Sequence, residues 1–89
     1  MTSSYLQITY RNGRAFAAYL YLPRRSGDKS HRTRVFPRGL VADITKDGRV
    51  IGIEIITPSL VTPSSLNKTL RALGLEPMKR EHLAPLTAA

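Results

Sequence analysis

Leu40-Val41-Ala42-Asp43-Ile44-Thr45-Lys46-Asp47-Gly48-Arg49-Val50-Ile51-Gly52-Ile53-Glu54-Ile55-Ile56 reads as a β-hairpin. Asp-Gly between two alternating runs is a strong signal for a two-residue turn whose central residues take positive φ. With Asp47 and Gly48 as that turn, Leu40, Ala42 and Ile44 share a face with Ile51, Ile53 and Ile55. That face is wholly apolar and must be core, because successive strand side chains point to opposite faces. The other face carries Val41, Asp43, Thr45, Val50, Gly52, Glu54 and Ile56. A slip of one residue would bury both carboxylates, so the register is well specified.

Working outward toward the N-terminus, Tyr5 to Tyr10 and Ala15 to Leu22 are rich in β-branched, aromatic and aliphatic residues, and Asn12-Gly13 lies between them. A second tight hairpin is expected, with Tyr10 facing Ala15, Ile8 facing Ala17 and Leu6 facing Tyr19. Its second strand would be apolar on both faces, which suits a strand covered on both sides. From Pro23 to about Arg34 the composition is that of a mobile loop, with Arg34 to Phe36 a short strand before the Pro37-Arg38-Gly39 bend.

Toward the C-terminus the period changes to about 3.6 at Leu66, Leu70 and Leu73. Thr62 can cap, Pro63 suits the first helical position and Gly74 suits the residue just past the end, so a helix is expected over about 62–73. Its leucine stripe is expected to pack on the sheet. Pro77 and Pro85 interrupt the remaining residues, among which Met78 to Leu83 carries a weak helical pattern. The expected fold class is α+β: two consecutive antiparallel β-hairpins forming a small mixed or antiparallel sheet, packed by one short C-terminal helix. The expected organisation is a single β-rich domain over residues 1–74, with a partly ordered C-terminal tail over 75–89.

A chain of 89 residues makes one domain and buries about 60–65% of the surface it exposes when unfolded. The sequence has no cysteine, so neither a disulfide nor a thiolate metal site can staple it, and packing or a partner subunit must supply stability. A homo-oligomer is therefore expected. Met1-Thr2-Ser3-Ser4 lacks the basic and apolar regions of a signal peptide, and no stretch approaches the roughly 18 apolar residues that span a bilayer, so the expected address is cytoplasmic, with no membrane partner.

The formal charge is +8, from fourteen Lys and Arg against six Asp and Glu. Residues 24–38 hold Arg24, Arg25, Lys29, Arg32, Arg34 and Arg38 against Asp28 alone. A surplus that dense attracts polyanions, and it also serves simply to keep a small protein soluble. Phe36 is the one aromatic residue in that run, which does not describe a dedicated single-strand groove.

The stretch from Ile8 to Ser59 resembles the bacterial domain family of unknown function 2283. The matching residues are Tyr10, Leu20, Tyr21, Gly39, Asp43, Asp47, Gly48, Gly52, Ile53, Glu54 and Ile55, and the match is most specific over Gly39 to Ile56. Ala18 stands where the family pattern has an aspartate, and Arg11 to Arg14 replace a turn that is usually acidic. The basic run and the segment after residue 60 lie outside the family core. The family resembles small accessory proteins encoded beside toxin genes, which implies a binding role for this chain and marks Tyr21, Asp43, Gly48, Gly52 and Glu54 as motif residues.

Catalytic readings are weak. Asp28, Ser30 and His31 have the residue types of nucleophilic catalysis, but neighbours in one loop cannot hold a triad's geometry. His31 and His82 are the two imidazoles, and a zinc site would need carboxylates from separate elements. Asp43 and Glu54, diagonal on one strand face, could form an acid and base pair, although such a pair ordinarily has an Arg or Lys between its members. Each glycine is isolated, so no phosphate loop is present. No catalytic residue, cofactor or metal is expected. The leading expectation is a non-enzymatic protein-interaction module, antitoxin-like and homodimeric. The alternative is a nucleic-acid binder using residues 24–38 on phosphates.

Overall fold

Alternation of period two gives way to helical spacing after residue 56, and the chain folds accordingly. The structure, a computed structural model, describes residues 4–87; Met1, Thr2, Ser3, Ala88 and Ala89 lie outside the described residues. The elements are β1 (Tyr5–Arg11), β2 (Arg14–Tyr21), β3 (Arg32–Phe36), β4 (Leu40–Ile44), β5 (Val50–Ile55), α1 (Pro63–Ala72) and α2 (Ala84–Thr87). Single 3-10 turns occur at Pro37–Gly39, Pro58–Leu60 and Arg80–Leu83. All five strands form one sheet, in the order β1-β2-β5-β4-β3, with every pair antiparallel. The class is α+β. Among the described residues no helix is long and apolar enough to cross a membrane.

The central hairpin pairs Leu40 with Ile55, Val41 with Glu54, Ala42 with Ile53 and Asp43 with Gly52. Leu40, Ala42, Ile44, Ile51, Ile53 and Ile55 are all buried, as their alternation requires. The turn differs from the expected two-residue form. Thr45 N–H donates to the Arg49 carbonyl and Gly48 N–H to the Thr45 carbonyl, which leaves Lys46, Asp47 and Gly48 as a three-residue loop. Gly48 alone takes positive φ, at 92°. Pairing resumes at Ile44 with Val50, so Ile51 is the extra residue of a bulge. The bulge compensates for the longer loop, and the core face is preserved.

The first hairpin shows the same physics with a larger correction. Asn12 and Gly13 both have positive φ, and Tyr10 faces Ala15 as expected. Then Phe16 bulges out, and the partners become Thr9 with Ala17, Ile8 with Ala18 and Leu6 with Leu20. The expected pairs Ile8–Ala17 and Leu6–Tyr19 do not form. Without the bulge Leu6 and Ile8 would face away from Leu20 and Leu22, whose burial is the stronger demand. Ala18, Leu20 and Leu22 are core, whereas Ala17, Tyr19 and Tyr21 on the opposite face are only half-buried. The expectation that β2 is covered on both sides fails within this chain, because the helical layer lies on one face.

That layer is fixed by specific caps. Thr62 and Ser65 form a reciprocal capping box at the start of α1, and Gly74 N–H and Leu75 N–H close its end on the carbonyls of Arg71 and Leu70. Leu66 and Leu70 pack into the core, with Leu73 half-buried beside them. The stretch expected as a tail also reaches the core, since Leu83 and Leu86 are buried among Leu20, Ile53 and Ile55. Asn67 on α1 holds this segment through its side-chain amide, accepting from Met78 N–H at 2.8 Å and donating to the Met78 carbonyl at 3.0 Å. Leu83→Ala should therefore lower stability by about 2–5 kcal/mol, the usual cost of a large-to-small change at a fully buried site. A urea midpoint equal to that of the parent chain would show that the segment is not part of the core.

Candidate functional site

On the uncovered face, the parity of β2 brings Ala17, Tyr19 and Tyr21 to the surface beside Tyr5 of β1. Tyr5 and Tyr21 stack with centroids 4.6 Å apart and planes 14° from parallel, and Tyr19 meets Tyr21 edge-on at 4.6 Å. Tyr19 faces Glu54 on β5 and lies across Gly52, where any Cβ would overlap its ring and hydroxyl. The hydroxyl thus passes over β5 to Asp43 on β4, donating to Oδ2 at 2.6 Å, while Ser30 Oγ donates to Oδ1 at 3.0 Å. Burial, followed by the hydrogen bond to this carboxylate, pushes the Tyr19 hydroxyl well above the usual phenol range. It remains a proton donor at any physiological pH.

The group between Asp43 and Glu54 is therefore a tyrosine, not the arginine or lysine expected from sequence. Two hydroxyls commit Asp43 to holding β2, β4 and the loop before β3 together. Glu54 is exposed on the same face. Of the motif residues, Tyr21, Asp43, Gly52 and Glu54 come together on this face, and Gly48 sits apart in the β4–β5 loop.

The basic run is divided by the fold. Arg24 lies 5.6 Å from the centroid of the Tyr21 ring and donates to the Ile51 carbonyl at 3.0 Å. Arg25 and Lys29 belong to the connection between β2 and β3. Arg32 and Arg34 lie on β3 itself, paired with Ile44 and Ala42, and so point to the helix side of the sheet. Arg38 donates to the Leu60 carbonyl at 3.3 Å. Arg24 and the two β3 arginines thus lie toward opposite faces of the sheet.

The connection expected to be mobile is tied down. Arg49 Nη1 and Nη2 each reach an oxygen of Asp28 at 2.7 Å, and Arg49 Nε donates to Asp47 at 3.0 Å. Arg25 N–H adds a bond to Asp28 Oδ2 at 2.8 Å, and His31 N–H donates to the Ile44 carbonyl at 2.9 Å. The bonds from Arg49, and next that from the Arg25 amide, hold the Asp28 carboxyl down at about 2. Asp28 and Ser30 are thus bonded to Arg49 and Asp43, and neither serves His31 as a triad member would. Among the described residues no three His, Cys, Asp or Glu side chains gather as a metal site.

Tyr19, Tyr5 and Arg49 are the residues that sequence reasoning does not single out. Gly52 is the available signal for Tyr19, since a glycine inside a strand often marks a close approach by another group. A shallow groove also opens between the β3–β4 turn and α1, lined by the apolar side chains of Phe36, Pro37 and Ala72 and by Arg38 and Lys68. No family model, curated protein or solved structure matches this chain.

Gly52→Ala should cost about 1–3 kcal/mol by displacing Tyr19. Combined with Tyr19→Ala it should cost less than the sum of the two single changes; strict additivity in a double-mutant cycle would mean that ring and glycine do not interact. A further expectation concerns pH. Asp28 in the unfolded chain titrates near the ordinary value of about 3.9, so as pH falls the unfolded state takes up the proton first. The stability from this contact is complete above about pH 4 and is lost as pH falls through about 2. Asp28→Asn should flatten the dependence of the urea midpoint on pH in that window, and an unchanged slope would place the acid sensitivity elsewhere.

Proposed function

We propose that this chain is a non-enzymatic, cytoplasmic protein-interaction module that works as a homodimer joined through β1. The observation that carries the reading is the chemistry of that edge. Tyr5-Leu6-Gln7-Ile8-Thr9-Tyr10 contains no charge, no proline and no glycine, and β1 runs for seven residues with the bulge on its partner strand. Sheet edges of folded monomers are ordinarily blunted by charge, bulges or proline, and an edge without them pairs with another strand. Tyr5 and Tyr10 are 52% and 55% exposed, and Leu6 and Ile8 are half-buried at the border of the core.

Antiparallel pairing of β1 with its copy about a two-fold axis keeps equivalent faces together. Leu6 and Ile8 then complete one another's burial on the helix side, and the tyrosine ladder continues on the open side. The commitment of Asp43, Tyr19 and Ser30 to one another supports a structural role for the residues that chemistry would otherwise recruit. The resemblance to the family of unknown function 2283 implies a binding role, and an accessory, antitoxin-like task is of that kind.

Sedimentation equilibrium is expected to find a dimer at micromolar concentration. Gln7→Lys with Thr9→Lys places like charges across the two-fold on exposed positions, and should weaken association about tenfold or more while leaving the melting midpoint of the monomer nearly unchanged. A monomeric parent chain across that range would overturn the dimer. Salt-sensitive binding to random DNA or RNA, abolished by Ala at Arg24, Arg25, Arg32 and Arg34, would replace the interaction reading with the nucleic-acid one.

A further inference from the structure

The opposite edge of the sheet differs from β1 in kind. Among the described residues β3 pairs with β4 alone, so its outer row of backbone N–H and C=O groups meets no strand of these. Arg32 and Arg34 alternate with Thr33 and Val35 along it, and Phe36 continues the face that carries the arginines. Val35, on the opposite face, is 74% exposed. A second copy of this edge would set arginine against arginine, which like-charge repulsion across strands disfavours. Opposite charge is what the edge accepts.

The groove beside the end of β3 adds a second, independent requirement. Its volume is about 260 Å³, below the roughly 300–1,000 Å³ of pockets that take whole small-molecule ligands. Phe36, Pro37 and Ala72 supply its accessible apolar lining, with Leu40 buried beneath them, and the charged groups around it, Arg38 and Lys68, are both cations. The Arg34 guanidinium lies 4.9 Å from the centroid of the Phe36 ring, which joins the cationic row of the strand to the mouth of the groove.

We infer that β3 receives an extended, acidic segment of a protein partner, which adds antiparallel as a further strand with carboxylates opposite Arg34 and Arg32 and one apolar side chain in the groove beside Phe36. Strand addition of this kind draws affinity from main-chain hydrogen bonds and specificity from alternate side chains. The period of two fixes the pattern. Read from its N-terminus, the partner presents an apolar residue, then acids at the second and fourth positions after it, all on one face. The inference rests on the interaction-module reading but uses the edge that the dimer leaves open, so the two can fail separately.

The test uses the full chain and two fluorescent peptides of identical composition, one containing Leu-Thr-Glu-Thr-Glu and the other Leu-Glu-Thr-Glu-Thr, in the same serine-rich flanks. Anisotropy should show the first binding about tenfold tighter than the second, with affinity falling as salt rises. Arg32→Ala with Arg34→Ala should remove that preference, whereas Arg24→Ala with Arg25→Ala should leave it within about twofold. Arg32 and Arg34 are exposed, so the melting midpoint of that variant should hold; Arg24 also donates to the Ile51 carbonyl, so the control is compared well below its own midpoint. Equal binding of the two peptides, or no binding of either, would overturn the inference. So would displacement of the first peptide by a single-stranded oligonucleotide of equal charge whose own binding ignores Arg32 and Arg34.

Discussion

Tyr19 can reach Asp43 only because nothing projects from Gly52, and much of the sheet's arrangement is tied to that gap. The tyrosine starts on β2, crosses β5 and bonds to a carboxylate on β4, which itself also accepts from Ser30 in the connection to β3. One side chain thus spans three neighbouring strands. It fixes β2 against β5, the contact that turns separate hairpins into a single sheet. Any residue but glycine would push the ring away and leave Asp43 short of one donor in a half-buried place, where an unmet polar group is costly.

Once β2 and β5 are joined, β1 and β3 must be the edges, and their sequences suit different neighbours. β1 is uncharged and unbroken through Tyr10, while β3 alternates arginine with smaller residues and ends at Phe36, before Pro37. That contrast is what the proposed dimer at one edge and the proposed acidic strand at the other rest on. The helical layer bears on this only indirectly: it covers one face, with Leu66, Leu70, Leu83 and Leu86 in one core with Leu20, Ile53 and Ile55, and leaves both edges uncovered by strands. The basic composition has a local use as well, since Arg49 anchors Asp28 and Arg24 lies over Tyr21.

The sequence is most legible where one physical demand dominates. Alternation over Leu40 to Ile55 is enough to place all six core residues of the second hairpin, because the only other register would bury Asp43 and Glu54. Thr62, Pro63 and the leucine spacing likewise mark α1. Legibility ends where two demands compete. Asn12-Gly13 and Asp47-Gly48 announce turns, but a bulge at Phe16 and another at Ile51 shift the strand pairing beyond them, and bulges answer to the packing of the whole sheet. The Tyr19–Gly52–Asp43 contact is hidden for a related reason: it depends on β2 lying beside β5, which no local pattern states. Arg49 holding Asp28, and Asn67 holding Met78, are pairings of side chains distant in sequence, and composition alone makes the first loop look mobile and the last segment look like a tail.

Amide hydrogen exchange, measured residue by residue at low and high protein concentration, tests most directly whether the two edges take different neighbours. If β1 is where two copies meet, the amides of Leu6 to Tyr10 that point away from β2 should gain protection as concentration rises, while the outward amides of Thr33 to Val35 on β3 stay fast at both. Protection on β1 that is the same at every concentration, or a gain that falls on β3 instead, would contradict it.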